Sequence, residues 1–102
     1  MAEVQLHKGR YKQCAGRDAV QKRLHSEGYS TFSWQDAPGS YYSPHSHPHL
    51  EYIVVHAGSI TFKIGGRDYA LEEGDALVLP ANTTHEAINE GDTTVRYFIC
   101  TE

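Results

Sequence analysis

The stretch GSYYSPHSHPHLEYIVVHAG, residues 39–58, sets His45, His47 and His49 at alternate positions and Glu51 two residues further on. In extended chain, alternate side chains share a face and lie about 6.5–7 Å apart along the strand. His45 and His47 on one such face can both reach a single ion at about 2.0–2.1 Å. Glu51 keeps the same parity, although Pro48, His49 and Leu50 interrupt the extended pattern. Two readings compete: a solvated His-rich loop, or half of a metal site. The second needs a partner elsewhere in the chain, and LPANTTHEAIN, residues 79–89, supplies His85 after a proline-led turn. Three imidazoles and a carboxylate form a mixed N/O donor set. Such a set suits Mn, Fe, Co, Ni or Zn rather than Ca or Mg.

Outward from this stretch the chain reads as strands. YSTFSWQ (29–35) alternates and is rich in β-formers, with Pro38-Gly39 as a turn. LEYIVVHAG (50–58) and SITFKI (59–64) meet at Ala57-Gly58, and Gly65-Gly66 is a two-residue hairpin turn. GDALVLP (74–80), HEAIN (85–89) and TTVRYFICT (93–101) complete a series of about eight short strands. Turn signals every 8–12 residues predict an all-β barrel or sandwich. RDAVQKRLHSEG (17–28) reads instead as a short helix, with Asp18 as N-cap, Gln21 three places on, and Gly28 at its end. Residues 1–16 carry little pattern and read as an extended arm or loose strand. The division expected is therefore 1–29, arm and short helix, and 30–102, the β-barrel, within one domain.

The chain has 102 residues, with Lys and Arg totalling 9 against 13 Asp and Glu, a formal charge of −4. No basic stripe appears, which argues against nucleic acid as a partner. The N-terminus lacks the apolar core of a signal peptide, and no apolar run is long enough for a membrane helix. A cytoplasmic location is expected. Cys14 and Cys100 lack any C-x-x-C spacing and read as free thiols.

The two histidine-bearing segments together resemble the cupin superfamily of small β-barrels. The first family motif, G-x5-H-x-H-x3-E-x6-G, is met by Gly39, His45, His47, Glu51 and Gly58. The second, G-x5-P-x-G-x2-H-x3-N, is met by Gly74, Pro80, His85 and Asn89, with Asn82 in place of the usual glycine. Asn is the next best residue in left-handed backbone, so the turn is expected to survive. The resemblance covers roughly residues 30–100. It implies a jelly-roll-like barrel and one divalent metal held by His45, His47, Glu51 and His85. It also implies pairing as a homodimer, residues 1–16 being placed to exchange a strand.

His49 is left free by the motif, and reads as a rim residue, a fifth ligand or a substitute for one. Of Tyr41 and Tyr42, one should face the cavity, and Tyr42 and His49 are the candidate contacts to a bound molecule. Ile53, Val55, Phe62, Tyr97 and Phe98 read as core or pocket wall, and Trp34 as packing against the helix or a second subunit. His56 has the parity that faces away from the metal. Arg96 reads as an edge residue and Asn89 as a structural hydrogen-bonding group.

Four ligands leave two positions of an octahedron open to a small oxygen-rich molecule such as a carboxylate, enediol or catechol. The leading expectation is oxygenase, isomerase or decarboxylase chemistry, with no separate acid or base identified. The alternatives are a non-enzymatic ligand-binding or sensing module, and a barrel that metal merely staples.

Overall fold

A computed structural model describes residues 3–102. The strands are β1 (Gln5–His7), β2 (Ser30–Asp36), β3 (Tyr41–His45), β4 (Glu51–Ala57), β5 (Ser59–Ile64), β6 (Arg67–Glu72), β7 (Ala76–Leu79), β8 (His85–Ile88) and β9 (Val95–Thr101). One helix, α1 (Arg17–Ser26), lies between β1 and β2. The strands form two antiparallel sheets, ordered β1-β7-β4-β9-β2 and β3-β8-β5-β6. This is the all-β sandwich the turn spacing predicts, in the jelly-roll form the family resemblance implies, with β1 added at one edge. The arm pairs with β7 of its own chain, Leu6 opposite Leu77.

Alternation along the strands builds two cores. Ile53, Val55, Ile60, Phe62, Leu71, Leu77, Leu79, Val95 and Tyr97 fill the space between the sheets. Tyr52, Val54, Ala76, Phe98 and Cys100 point the other way and are covered by Val20 and Leu24 of α1 and by Tyr11. Phe98 therefore belongs to the outer core and not to the cavity wall. The β4 strand is buried on both faces, which is why its sequence reads as an uninterrupted apolar run. Tyr11, 1% exposed, donates its hydroxyl proton to Glu27 and meets the Tyr52 hydroxyl at 2.9 Å. Both cysteines are free, and burial pushes the Cys100 thiol up to about 12.

The helix begins two residues earlier than its capping signal. Gly16 is the N-cap and contributes no side-chain bond, so Asp18 lies inside the first turn, where its charge favours the helix dipole. Gln21 donates to Thr31 across the helix–sheet contact instead of closing a capping box. The other end matches expectation. Gly28 has a φ of 94°, its N–H donates to His25 O, and Tyr29 N–H donates to Leu24 O, the two bonds of a Schellman stop.

The arm is clasped to the β6–β7 turn. Asp75, 3% exposed, accepts from Lys8 Nζ at 2.6 Å and from the backbone N–H groups of Gly9 (2.7 Å) and Glu72 (2.8 Å). Gly74 next to it has a φ of 92°, and a Cβ there would stand 2.8 Å from Lys12 Cα. The close passage of the arm thus requires the glycine.

Candidate metal centre

His45 is the last residue of β3 and pairs across the sheet with His85, the first residue of β8. The register slips between Tyr42 and His45, inserting one extra residue around Ser43-Pro44. Strict alternation would set Tyr42 and His45 on opposite faces, but the bulge turns both toward the cavity. His47 lies beyond the strand, in the connection to β4. Strand parity therefore accounts for the grouping of His45 with His47 only in part. A loop, and not a continuous strand, delivers His47 beside His45. That loop is pinned by Asn82, whose N–H donates to His47 O at 2.7 Å. Asn82 has a φ of 61°, the left-handed conformation for which the usual residue is glycine.

The ligand atoms of His45, His47 and His85 all lie within 4.8 Å of one another. Two atoms bound to one ion at 2.0–2.1 Å stand no more than about 4.2 Å apart, so small ring rotations bring the three onto a common centre. His45 Nδ1 lies 2.6 Å from Ser43 O and His85 Nδ1 2.8 Å from Thr83 O. A carbonyl only accepts, so each Nδ1 carries the proton and each Nε2 keeps its lone pair. This is the tautomer a metal-binding imidazole needs, locked by backbone contacts. Burial, followed by the neighbouring His45 and His47, moves His85 below the usual histidine range, outweighing its bond to Thr83 and the nearby Glu51. The donor set thus fits a divalent ion.

Glu51 opens β4 and stands just outside the three-histidine group, its Oε1 3.9 Å from His47 Nε2. Its Oε2 is 3.4 Å from His49 Nε2, so His49 contacts the carboxylate from the rim. His56 does face away from this centre, its ring tilted against that of Phe98.

The three histidines and Glu51 close one end of a cavity of about 200 Å³ between the sheets. The remaining wall is largely apolar or aromatic, with Phe32, Ile53, Phe62, Ala87 and Ile99. Trp34 belongs to this wall, 43% exposed, and donates its indole N–H to Tyr42 Oη at 3.0 Å. The expectation that it packs on the helix is corrected: Ser33, its neighbour of opposite parity, meets Arg17 of α1.

Asp36 is the polar residue that sequence reasoning missed. It is 7% exposed and accepts from Tyr42 at 2.5 Å and from Tyr97 at 2.6 Å. In sequence it precedes Ala37-Pro38-Gly39 and reads as a turn residue, and Tyr97 lies too far along the chain to signal the contact. Burial first, then the Asp36 bond, raises both tyrosines above their usual range. The Tyr42 proton is committed to Asp36. Asn89 donates to Asp36 O and Thr93 O, holding the end of β2, as its structural reading predicts.

Among solved structures, the fold is similar to an uncharacterized conserved protein with a double-stranded beta-helix domain from Klebsiella pneumoniae (TM-score 0.61, 23% identity), over 71% of this chain and 64% of that one. It is also similar to the polyketide cyclase RemF of Streptomyces resistomycificus (TM-score 0.64, 22% identity), over 71% of this chain and 52% of that one. A predicted oxalate decarboxylase from Thermotoga maritima aligns at TM-score 0.63 and 21% identity, over 78% of this chain and 70% of that one. No curated protein shows significant similarity to the sequence. The family model of the cupin domain matches residues 32–101, a span that contains both histidine motifs and every strand of the barrel from β3 to β9. On that match and this fold, the chain belongs to the cupin family.

Proposed function

We propose that His45, His47, His85 and Glu51 hold one divalent transition metal, and that the cavity delivers to it a small molecule with oxygen donors on an apolar or aromatic body. The observation that carries this reading is the pair of Nδ1–carbonyl bonds, which reserve His45 and His85 for coordination at the polar end of an apolar cavity. When bound, such an ion polarises oxygen ligands or, if redox-active, engages O2. Glu51 supplies the single anionic donor, and His49 at the rim orients it. The aromatic wall excludes water and favours a planar guest, while the Asp36–Tyr42–Tyr97 network holds that wall in shape. The names of the polyketide cyclase and the predicted oxalate decarboxylase among the similar structures agree with oxygen-rich substrates.

Metal analysis of chain purified without chelator tests the first half. Close to one equivalent of Mn, Fe, Co, Ni or Zn is expected in the wild type, and a small fraction of that in His47→Ala. With chelator present, the two proteins should melt within a few degrees of each other. Absence of metal from both would overturn the reading. Displacement of metal-bound water by catechols or dicarboxylates, followed in the visible spectrum of the Co(II) form, tests the second half.

A second reading, a binding or sensing module without turnover, is favoured by one observation. Apart from the proposed ligands, the cavity's polar groups are already paired: Trp34 with Tyr42, and Tyr42 and Tyr97 with Asp36. Among the described residues, the cavity lining offers no free acid or base beyond the proposed ligands. Tight guest binding without O2 uptake or product would establish this alternative.

A further inference from the structure

The outward face of the five-stranded sheet carries another cavity, of about 380 Å³, lined by Arg17, Ser33, Trp34, Gln35, His56 and Arg96. Strand register assembles it. Gln35 pairs with Arg96 and Ser33 with Phe98 on adjacent strands, and Arg17 reaches over from the start of α1, 5.4 Å above the Phe98 ring. The β4–β9 register slips between Val55 and Ala57, so His56 is the extra residue of a bulge. Bulges re-aim side chains, and here the result is an imidazole 9% exposed with no hydrogen-bond partner among the described residues. Among the described residues no fully buried side-chain nitrogen is left unsatisfied, so the polar edge of the ring opens onto the cavities it lines.

The charge here is the reverse of the chain's net −4. Arg17 donates to Ser33 Oγ at 2.9 Å and meets Asp18, a 96%-exposed side chain, at 3.1 Å. Arg96 donates to Gln35 and, among the described residues, has no carboxylate partner. Two guanidiniums and a buried imidazole thus line one cavity whose lining includes no carboxylate, Asp18 meeting Arg17 from the solvent side.

We propose that this outer cavity binds the phosphate group of a small phosphate ester through Arg17, Arg96 and His56. A guanidinium fork uses two oxygens at once, so one carboxylate is consumed by one arginine. The three terminal oxygens of a phosphate ester can serve both forks and still accept from the imidazole and from Ser33, whose hydroxyl proton remains free to donate. Burial, and then Arg17 and Arg96, hold His56 below the usual histidine range, with Glu73 opposing. The empty cavity thus contains a neutral imidazole that an arriving dianion would draw toward protonation.

The test is a titration of the chain with inorganic phosphate, followed by amide and arginine Nε–H NMR, with acetate at equal ionic strength as the second arm. Saturable shifts are expected at Arg17, Ser33, Gln35, His56 and Arg96, with a rise in the His56 pKa. Arg96→Gln and Arg17→Gln should each weaken binding about tenfold, the loss of one charge-assisted contact. Lys63→Gln, on the other sheet, should change nothing. Shifts that do not saturate, shifts confined to the His45–His85 region, or unchanged affinity in Arg96→Gln would overturn the proposal. So would acetate binding as tightly as phosphate. Both arginines are exposed, so these variants are expected to keep the fold and the test does not depend on replacing His56.

Discussion

On β4, Tyr52 and Val54 point outward beneath the helix, whereas Ile53 and Val55 point between the sheets, and the two faces end differently. The outer face is sealed over this strand by Leu24, Val20 and Tyr11, each at most 2% exposed. The inner face is packed at one end and left hollow at the other, where Ile53 joins the wall below the histidines. The same strands supply both faces. Where another element closes a face it is a source of stability, and where none does, as beside the histidines, room is left for a guest.

Leu24→Ala should break this comparison most strongly. It removes a fully buried side chain from the outer core, and a loss of about 2–5 kcal/mol in urea unfolding is expected. Metal stoichiometry should not change, because none of the inner-face histidines touches α1. A variant that lost metal at unchanged protein stability would mean the faces are coupled.

Asp75→Asn sharpens the comparison at the seam where the arm closes the outer face. Burial alone would raise the Asp75 carboxyl, but the Lys8 bond and the Glu72 and Gly9 N–H groups outweigh it and hold it below its usual range. A depressed folded pKa contributes stability above the unfolded value, near pH 4, and loses it as pH falls through the folded value. The wild type should therefore exceed Asp75→Asn by about 1–3 kcal/mol at neutral pH. The difference should shrink below about pH 4. A constant difference across that window would show that the arm is held by packing instead.

The smallest effect is expected at the turn of the inner face. Asn82 already occupies left-handed backbone, so Asn82→Gly should shift stability by no more than about 0.5 kcal/mol, while Asn82→Ala costs about 1 kcal/mol. Reduced metal content in Asn82→Ala, with Asn82→Gly normal, would show that the turn positions His47 through its backbone bond.

The helix, the hairpin at Gly65-Gly66 and eight of the strands were legible because each depends on residues close in sequence. Local φ preferences and alternation decide them. The grouping of His45, His47 and His85 was legible for a related reason: both motifs set histidines at defined short spacings. Tyr11 and Asp36 were not legible. Each is buried by partners far along the chain, Tyr52 and Asp75's turn for one and Tyr97 for the other, and nothing local marks a tyrosine as covered or a turn aspartate as an acceptor.

The sequence by itself determined that this is a β-fold with a nitrogen-rich donor set, since periodicity and residue type are local properties. Only the tertiary structure decided that Tyr42 and His45 point the same way. Each sits beside a register slip, and a slip of one residue reverses the face of everything beyond it.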